Sequence, residues 1–202
     1  MTEGRNFPPI RREFPFLNCR CVDGHAQIWS SNGDEDIVAN YFLDVSNISR
    51  GKGHSVTKRA NYITGKRLHD SYSGQTYYRR RNDVLYQRVF LPIDAPKDYS
   101  EMQILCNKMD AAEIRWDART ARDIKGSLPN ELAISDLIQI VDEYVDRNYV
   151  SCGLCAIAAI HEGHNEADPR KNNPHMHLIV STRTISPSGF SAKKDREHDK
   201  RK

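Results

Sequence analysis

At 202 residues, with 38% hydrophobic and 28% charged positions and a formal charge of +3, the chain has the size and apolar content of one folded domain. That excludes a disordered polyelectrolyte and leaves no room for a second full domain. The longest apolar run, Leu154 to Ile160, is far short of the roughly 18 residues that would suggest a membrane-spanning helix, the amino terminus holds no apolar signal core, and five scattered cysteines do not form a secreted disulfide framework, so a cytoplasmic protein with no membrane segment is expected.

Residues 1–35 mix prolines and arginines with a Ser-Ser-Asn-Gly-Asp stretch and read as a poorly structured arm, with residues 36–202 as the domain. Residues 37–48 alternate well enough to be the first strand. A helix is predicted from Ser55, with Val56, Ala60 and Ile63 on one face and Gly65 placed to end it. Val84 to Leu91 reads as a strand stopped by Pro92. Ser100 with Gln103 forms a capping-box pattern that opens a helix with the stripe Leu105, Met109, Ala112 and Trp116. A further helix runs from Ser135 to Arg147 on Leu137, Ile138, Val141, Tyr144 and Val145. Cys152 to His161 and His175 to Thr182 read as two strands of a hairpin with a long polar loop. Cys152 and Cys155 are read as buried structural thiols, since no second pair lies near enough in sequence to complete a metal or redox motif. Strands and helices intermix without a βαβ repeat, so an α+β domain with a mainly antiparallel sheet covered by helices is expected.

Charge is unevenly distributed. Residues 46–90 carry ten Lys or Arg against two acids, the footprint of a polyanion-binding face or of a solvated basic one. On the helix within that segment, Ser55, Lys58, Arg59 and Lys66 project within about 60° of Tyr62, while the apolar set faces elsewhere. Two readings stand open. A phenol among cations suits attack on a phosphate, because the cations hold the diester oxygens; a boundary tyrosine with its ring half on the core has the same pattern. Tyr72, Tyr77 and Tyr78 lie beside Arg79, Arg80 and Arg81 and would serve a single strand as stacking and phosphate contacts.

The histidines carry a sharper signal. His175 and His177 are two apart at the mouth of an apolar strand, so both rings leave it on one side. If the preceding strand ends at His161 and pairs antiparallel, a third ring arrives at the same rim. Three neutral imidazoles suit Mn, Zn, Ni or Cu and leave open positions for a substrate oxygen. A His-x-His pair alone is also compatible with ordinary partly buried histidines, and His164 in the loop competes with His161 as the third ligand.

Three ordered segments together resemble the MobA/MobL-type plasmid mobilisation relaxases of the HUH endonuclease superfamily. Arg50-Gly-Lys-Gly-His-Ser-Val-Thr-Lys-Arg-Ala-Asn-Tyr62-Ile-Thr-Gly65-Lys-Arg-Leu is similar to the family's nucleophile motif. Arg119 through Leu-Pro-Asn-Glu131-Leu is similar to its middle motif, which carries an acidic residue. His161 through Asn-Pro-His175-Met-His177 is similar to its three-histidine motif, and Gly189-Phe190 with the following lysines fits the next segment. The resemblance implies a five-stranded, largely antiparallel sheet flanked by helices, with the histidines on central strands. It implies metal-dependent nicking and rejoining of DNA at an origin of transfer, through a 5′-phosphotyrosyl intermediate on Tyr62 and with Mn²⁺, Mg²⁺ or another divalent ion on His161, His175 and His177. Glu131 is then either an aid to deprotonating Tyr62, a more distant support, or simply a favourable carboxylate at a helix start. Single-stranded or hairpin DNA is the implied partner, with relaxosome accessory proteins beside it, and Arg50, Lys52, Lys58, Arg59, Lys66, Arg79, Arg80 and Arg81 are the candidate contacts. Relatives usually continue beyond such a domain, so the chain is expected to be the catalytic part of a longer protein.

Two other functions fit the same residues. One is a three-histidine metallohydrolase that uses a metal-bound water on a phosphoester, with Tyr62 structural. The other is a non-catalytic module that binds single-stranded DNA or controls replication.

Overall fold

A computed structural model describes residues 18–22, 25–29, 42–163, 166 and 172–196. His164, and all of the predicted arm apart from two short strands, lie outside the described residues. Those strands, β1 (Asn18–Val22) and β2 (His25–Trp29), pair antiparallel within a unit spanning Met1–Tyr41. The second unit, Phe42–Lys202, holds every element discussed below.

In chain order that unit comprises β3 (Leu43–Ser49), α1 (Val56–Thr64), β4 (Leu68–Asp70), β5 (Gln75–Tyr77), β6 (Val84–Phe90), α2 (Met102–Ala111), β7 (Arg119–Ser127), α3 (Ile134–Asn148), β8 (Ala156–His161), β9 (His175–Ser181), β10 (Arg183–Ser186) and β11 (Gly189–Lys194). Five strands form one sheet in the order β3-β7-β9-β8-β6, antiparallel throughout, as an α+β domain of the expected kind. Helices cover both faces. Val56, Ala60 and Ile63 of α1 and Leu105 and Met109 of α2 pack with Ile157, Ala159 and Ile179 on one side. Leu137, Val141 and Val145 of α3 pack with Ala158, Ile160, Leu178 and Val180 on the other. Burying each of those α3 side chains stabilises the fold by roughly 1.5–3 kcal/mol. With both faces covered, β8 is buried at every position, which explains why it reads as a continuous apolar run rather than an alternation.

Three sequence expectations are corrected. The capping box at Ser100 does not form: Ser100 closes a short 3-10 turn, donating to the Lys97 carbonyl at 2.7 Å, and α2 starts at Met102. Gln103 turns instead to β4 and accepts from the His69 N–H at 2.7 Å. Trp116 is not part of the helical stripe, since α2 ends at Ala111 and the indole is 74% exposed. Cys155 is buried as expected, but Cys152 is exposed on the turn that precedes β8. Strand β7, second in the sheet, has no counterpart among the strands expected from the sequence. Its buried face includes Arg122, which donates to the Ser181 carbonyl at 2.7 Å and pairs with Asp195 at 3.2 Å.

Candidate active site

Register brings the three histidines together. In the β8–β9 pair His161 lies opposite His175, and Ala159 opposite His177, so the antiparallel ladder puts all three rings on one face at one end of the sheet. Their centroids are 4.6–5.3 Å apart, and one ligand nitrogen from each falls within 4.8 Å of the others. Burial holds all three below the ordinary histidine range, His177 down to about 2 with Arg59 adding to the effect. The rings are therefore neutral at pH 7 and each offers one lone pair.

Backbone carbonyls fix two of those lone pairs. His161 Nε2 is 2.7 Å from the Ile63 carbonyl, which can only accept, so the proton sits there. Nδ1 of the same ring is then bare, and it is buried with no hydrogen-bond partner. His175 Nδ1 donates to the Asn173 carbonyl at 2.8 Å, leaving its Nε2 bare. A buried nitrogen without a partner is costly unless something binds it, and carbonyls that orient imidazoles are a usual support for metal ligation. Three neutral nitrogen donors therefore fit a divalent transition ion.

The bond from His161 to Ile63 also ties the histidines to α1. That helix starts at Ser55, whose hydroxyl accepts from the Lys58 N–H at 3.1 Å, and stops at Gly65 with φ +71°. A Cβ on Gly65 would lie 3.3 Å from the Arg79 carbonyl and the Arg81 nitrogen, so a side chain there would be strained and crowd the returning chain. Because Val56, Ala60 and Ile63 face the core, Tyr62 is left 37% exposed on the histidine side. Its ring stands edge-on to that of His177, with centroids 6.5 Å apart. Arg59, Arg79 and Arg81 place their guanidinium carbons 4.9, 4.9 and 5.0 Å from the Tyr62 centroid.

Two carboxylates position these cations. Asp123 on β7 accepts from Arg59 Nε at 3.0 Å, and Asp83 accepts from Arg81 Nε at 2.8 Å. The Arg81 hydrogen bond draws the Asp83 carboxyl down to about 2. Arg81 also donates to the Tyr62 carbonyl at 3.0 Å. No sequence motif marks either acid. Reading 119–127 as a strand would have exposed Asp123, which neighbours Ile179 across β9 and is thus one step from His177.

Not every candidate converges. Lys58 and Lys66 are exposed on and just after α1, Lys52 is exposed before it, and Arg80 is exposed next to Arg79. Arg50 is not gathered with them: its guanidinium donates to the carbonyls of Asp110, Glu113 and Arg115 at 2.5, 2.6 and 3.1 Å and lies over the Tyr72 ring. The described contacts do not bring Glu131 to Tyr62. It is exposed on the loop before α3, and the adjoining Leu128 and Leu132 belong to the core on the opposite face of the sheet.

The profile of the MobA/MobL family matches residues 54–202. The chain is 38% identical over 151 residues to a probable mobilization protein MobA of Bifidobacterium longum, covering 74% of this chain and 26% of that protein. It is 32% identical over 163 residues to the conjugal transfer protein TraA of Agrobacterium fabrum, covering 75% of this chain and 14% of that one. It is 29% identical over 182 residues to the mobilization protein MobL of Acidithiobacillus ferridurans, covering 80% and 47%. The chain thus spans less than half the length of these relatives. A solved structure from a study of the molecular basis of vancomycin resistance transfer in Staphylococcus aureus shares the fold, with a TM-score of 0.68, 23% identity and 79% coverage of both chains.

Proposed function

Because the chain belongs to the MobA/MobL family, we propose that residues 36–202 form the nicking domain of a mobilisation relaxase, cutting and rejoining one DNA strand at an origin of transfer. The observation that carries this reading is the pairing of an exposed Tyr62 with three converging histidines, 6.5 Å from the His177 ring and ringed by three guanidinium groups.

In the proposed step Tyr62 Oη attacks the scissile phosphorus. The new bond is Oη–P, the bond broken is P–O3′, and the phenolic proton ends on the released 3′ hydroxyl by way of solvent. Arg59, Arg79 and Arg81 hold the non-bridging oxygens and compensate the charge gathered in the transition state. Asp123 and Asp83 keep Arg59 and Arg81 from drifting to other partners. His161, His175 and His177 would hold a divalent ion, Mn²⁺ in preference to Mg²⁺ for imidazole donors, which would supply Lewis-acid polarisation of the phosphate. The phosphotyrosyl bond conserves the energy of the diester, so attack by the 3′ hydroxyl reseals the strand. Lys52, Lys58, Lys66 and Arg80 extend the cationic surface along the strand. This reading places the protein in the cytoplasm, on single-stranded or hairpin DNA with relaxosome accessory proteins. Among the described residues no helix is long and apolar enough to cross a membrane.

The test is incubation with single-stranded oligonucleotides covering the intergenic DNA beside its gene, with and without Mn²⁺, followed by a denaturing gel. Metal-dependent cleavage at one position, with half the product retained on protein, is expected. Binding without cleavage would favour the non-catalytic module, and two protein-free products would favour the hydrolase.

A further inference from the structure

Of the three histidines, His177 alone has its lone pair occupied by a side chain. Its Nδ1 lies 3.1 Å from Arg59 Nη2. A guanidinium has no acceptor, so His177 Nδ1 must be the acceptor and the ring proton must sit on Nε2. A neutral imidazole has a single in-plane lone pair, and here it points at Arg59. His161 and His175 differ, because their protons are committed to the carbonyls of Ile63 and Asn173 and their lone pairs are uncommitted.

A metal ion must take the same lone pair that Arg59 holds. If the ion binds Nδ1, the guanidinium stands in its place. If it binds Nε2, the proton moves to Nδ1, where it meets the Arg59 N–H head on. Either route breaks the Arg59–His177 hydrogen bond. Arg59 is not set loose by this, because its Nε remains on Asp123 at 3.0 Å and its guanidinium carbon already lies 4.9 Å from the Tyr62 centroid.

We propose that Arg59 is a metal-displaced positioning residue: it caps the His177 lone pair in the metal-free protein and, when an ion binds the histidines, pivots on Asp123 to present its guanidinium to a DNA phosphate beside Tyr62. The inference rests on the reading of His161, His175 and His177 as a metal site. It couples the two ligands. Metal binding frees a phosphate donor, and a phosphate that draws Arg59 away frees the third nitrogen, so each tightens the other by the same factor.

The test is Mn²⁺ titration of the metal-free protein, read from the EPR signal of the free ion, with no DNA present. The double variant Arg59→Met with Asp123→Asn removes one cation and one anion, so net charge at the site is unchanged and long-range electrostatics alone give no gain. Freeing the lone pair is expected to tighten Mn²⁺ about five- to tenfold, the worth of one hydrogen bond. Equal or weaker binding by the double variant overturns the proposal. Absence of saturable binding in both wild type and variant overturns the metal reading itself. A second measurement needs no variant. Side-chain ¹⁵N spectra of the metal-free protein should show His161 and His177 protonated on Nε2 and His175 on Nδ1, and a His177 proton on Nδ1 contradicts the proposal directly.

Discussion

Asp110 sits beneath the first turn of α1, only 3% exposed, and accepts from the Val56 N–H at 3.1 Å and the Thr57 N–H at 3.4 Å. Burial outweighs those bonds and raises its carboxyl from 3.8 to about 6. The folded protein therefore holds this proton more tightly than the unfolded chain does. The stabilisation that results is fully present below about pH 4 and is lost as pH rises through about 6. Asp110→Asn does not titrate, so its unfolding free energy relative to wild type should rise by roughly 2–3 kcal/mol between pH 4 and pH 7. Denaturant melts of both proteins across that range measure it, and every other titrating group cancels in the difference. A difference independent of pH would mean that Asp110 is ionised with little penalty under α1.

The elements that carry the site differ in how plainly the sequence announces them. The spacing of His175 and His177, together with the apolar run that ends at His161, was enough to derive a shared rim, because a strand admits only one side for residues two apart and an antiparallel neighbour returns to the same end. The wheel of α1 likewise separated Tyr62 from Val56, Ala60 and Ile63. Strand β7 was opaque. It buries Thr120, Ala121 and Arg122 in succession, so it shows no alternation and few large apolar residues, and the ion pairing that makes Arg122 tolerable lies at Asp195, far along the chain. With β7 went Asp123, and with Asp123 the anchoring of Arg59. The capping-box pattern at Ser100 failed for a related reason: Gln103 found a better partner in the backbone of β4, a tertiary contact that local spacing does not encode.

The arginines before β6 are also held unequally, and this bears on the proposed DNA binding. Arg81 is tied to Asp83 and to the Tyr62 carbonyl, whereas Arg79 and Arg80 are exposed just before it on the segment leading into β6. Arg79→Glu with Arg80→Glu should therefore weaken binding to all single strands about equally, and should flatten the dependence of log affinity on log salt by roughly 0.7 for each phosphate no longer neutralised. Fluorescence anisotropy at several salt concentrations reads this, and an unchanged slope would place the phosphate path elsewhere.

On the scale of the molecule, the histidines lie where two neighbouring strands of a five-stranded sheet end beside the helix that holds Tyr62, so an ion bound there would staple β8 to β9 next to α1. Binding to the folded state alone should then stabilise it: Mn²⁺ at a hundred times its Kd should add about 2.7 kcal/mol to the unfolding free energy. His175→Ala with His177→Ala should abolish that gain, and thermal melts with and without Mn²⁺ compare them. Retention of the full gain by the double variant would put the ion elsewhere.

In the proposed reaction Tyr62 joins DNA to this fold through an oxygen–phosphorus bond. Peptide mapping by mass spectrometry of the detergent-stable complex, formed with a cognate oligonucleotide and Mn²⁺, locates that bond. The 5′ phosphate of the downstream DNA is expected on Tyr62, with a free 3′ hydroxyl upstream and at least a thousandfold loss of cleavage in Tyr62→Phe, whose DNA binding and folding should change little because the ring is kept and only its hydroxyl is removed. DNA found on Tyr72, Tyr77 or Tyr78, or cleavage that leaves no adduct on any tyrosine, would contradict it.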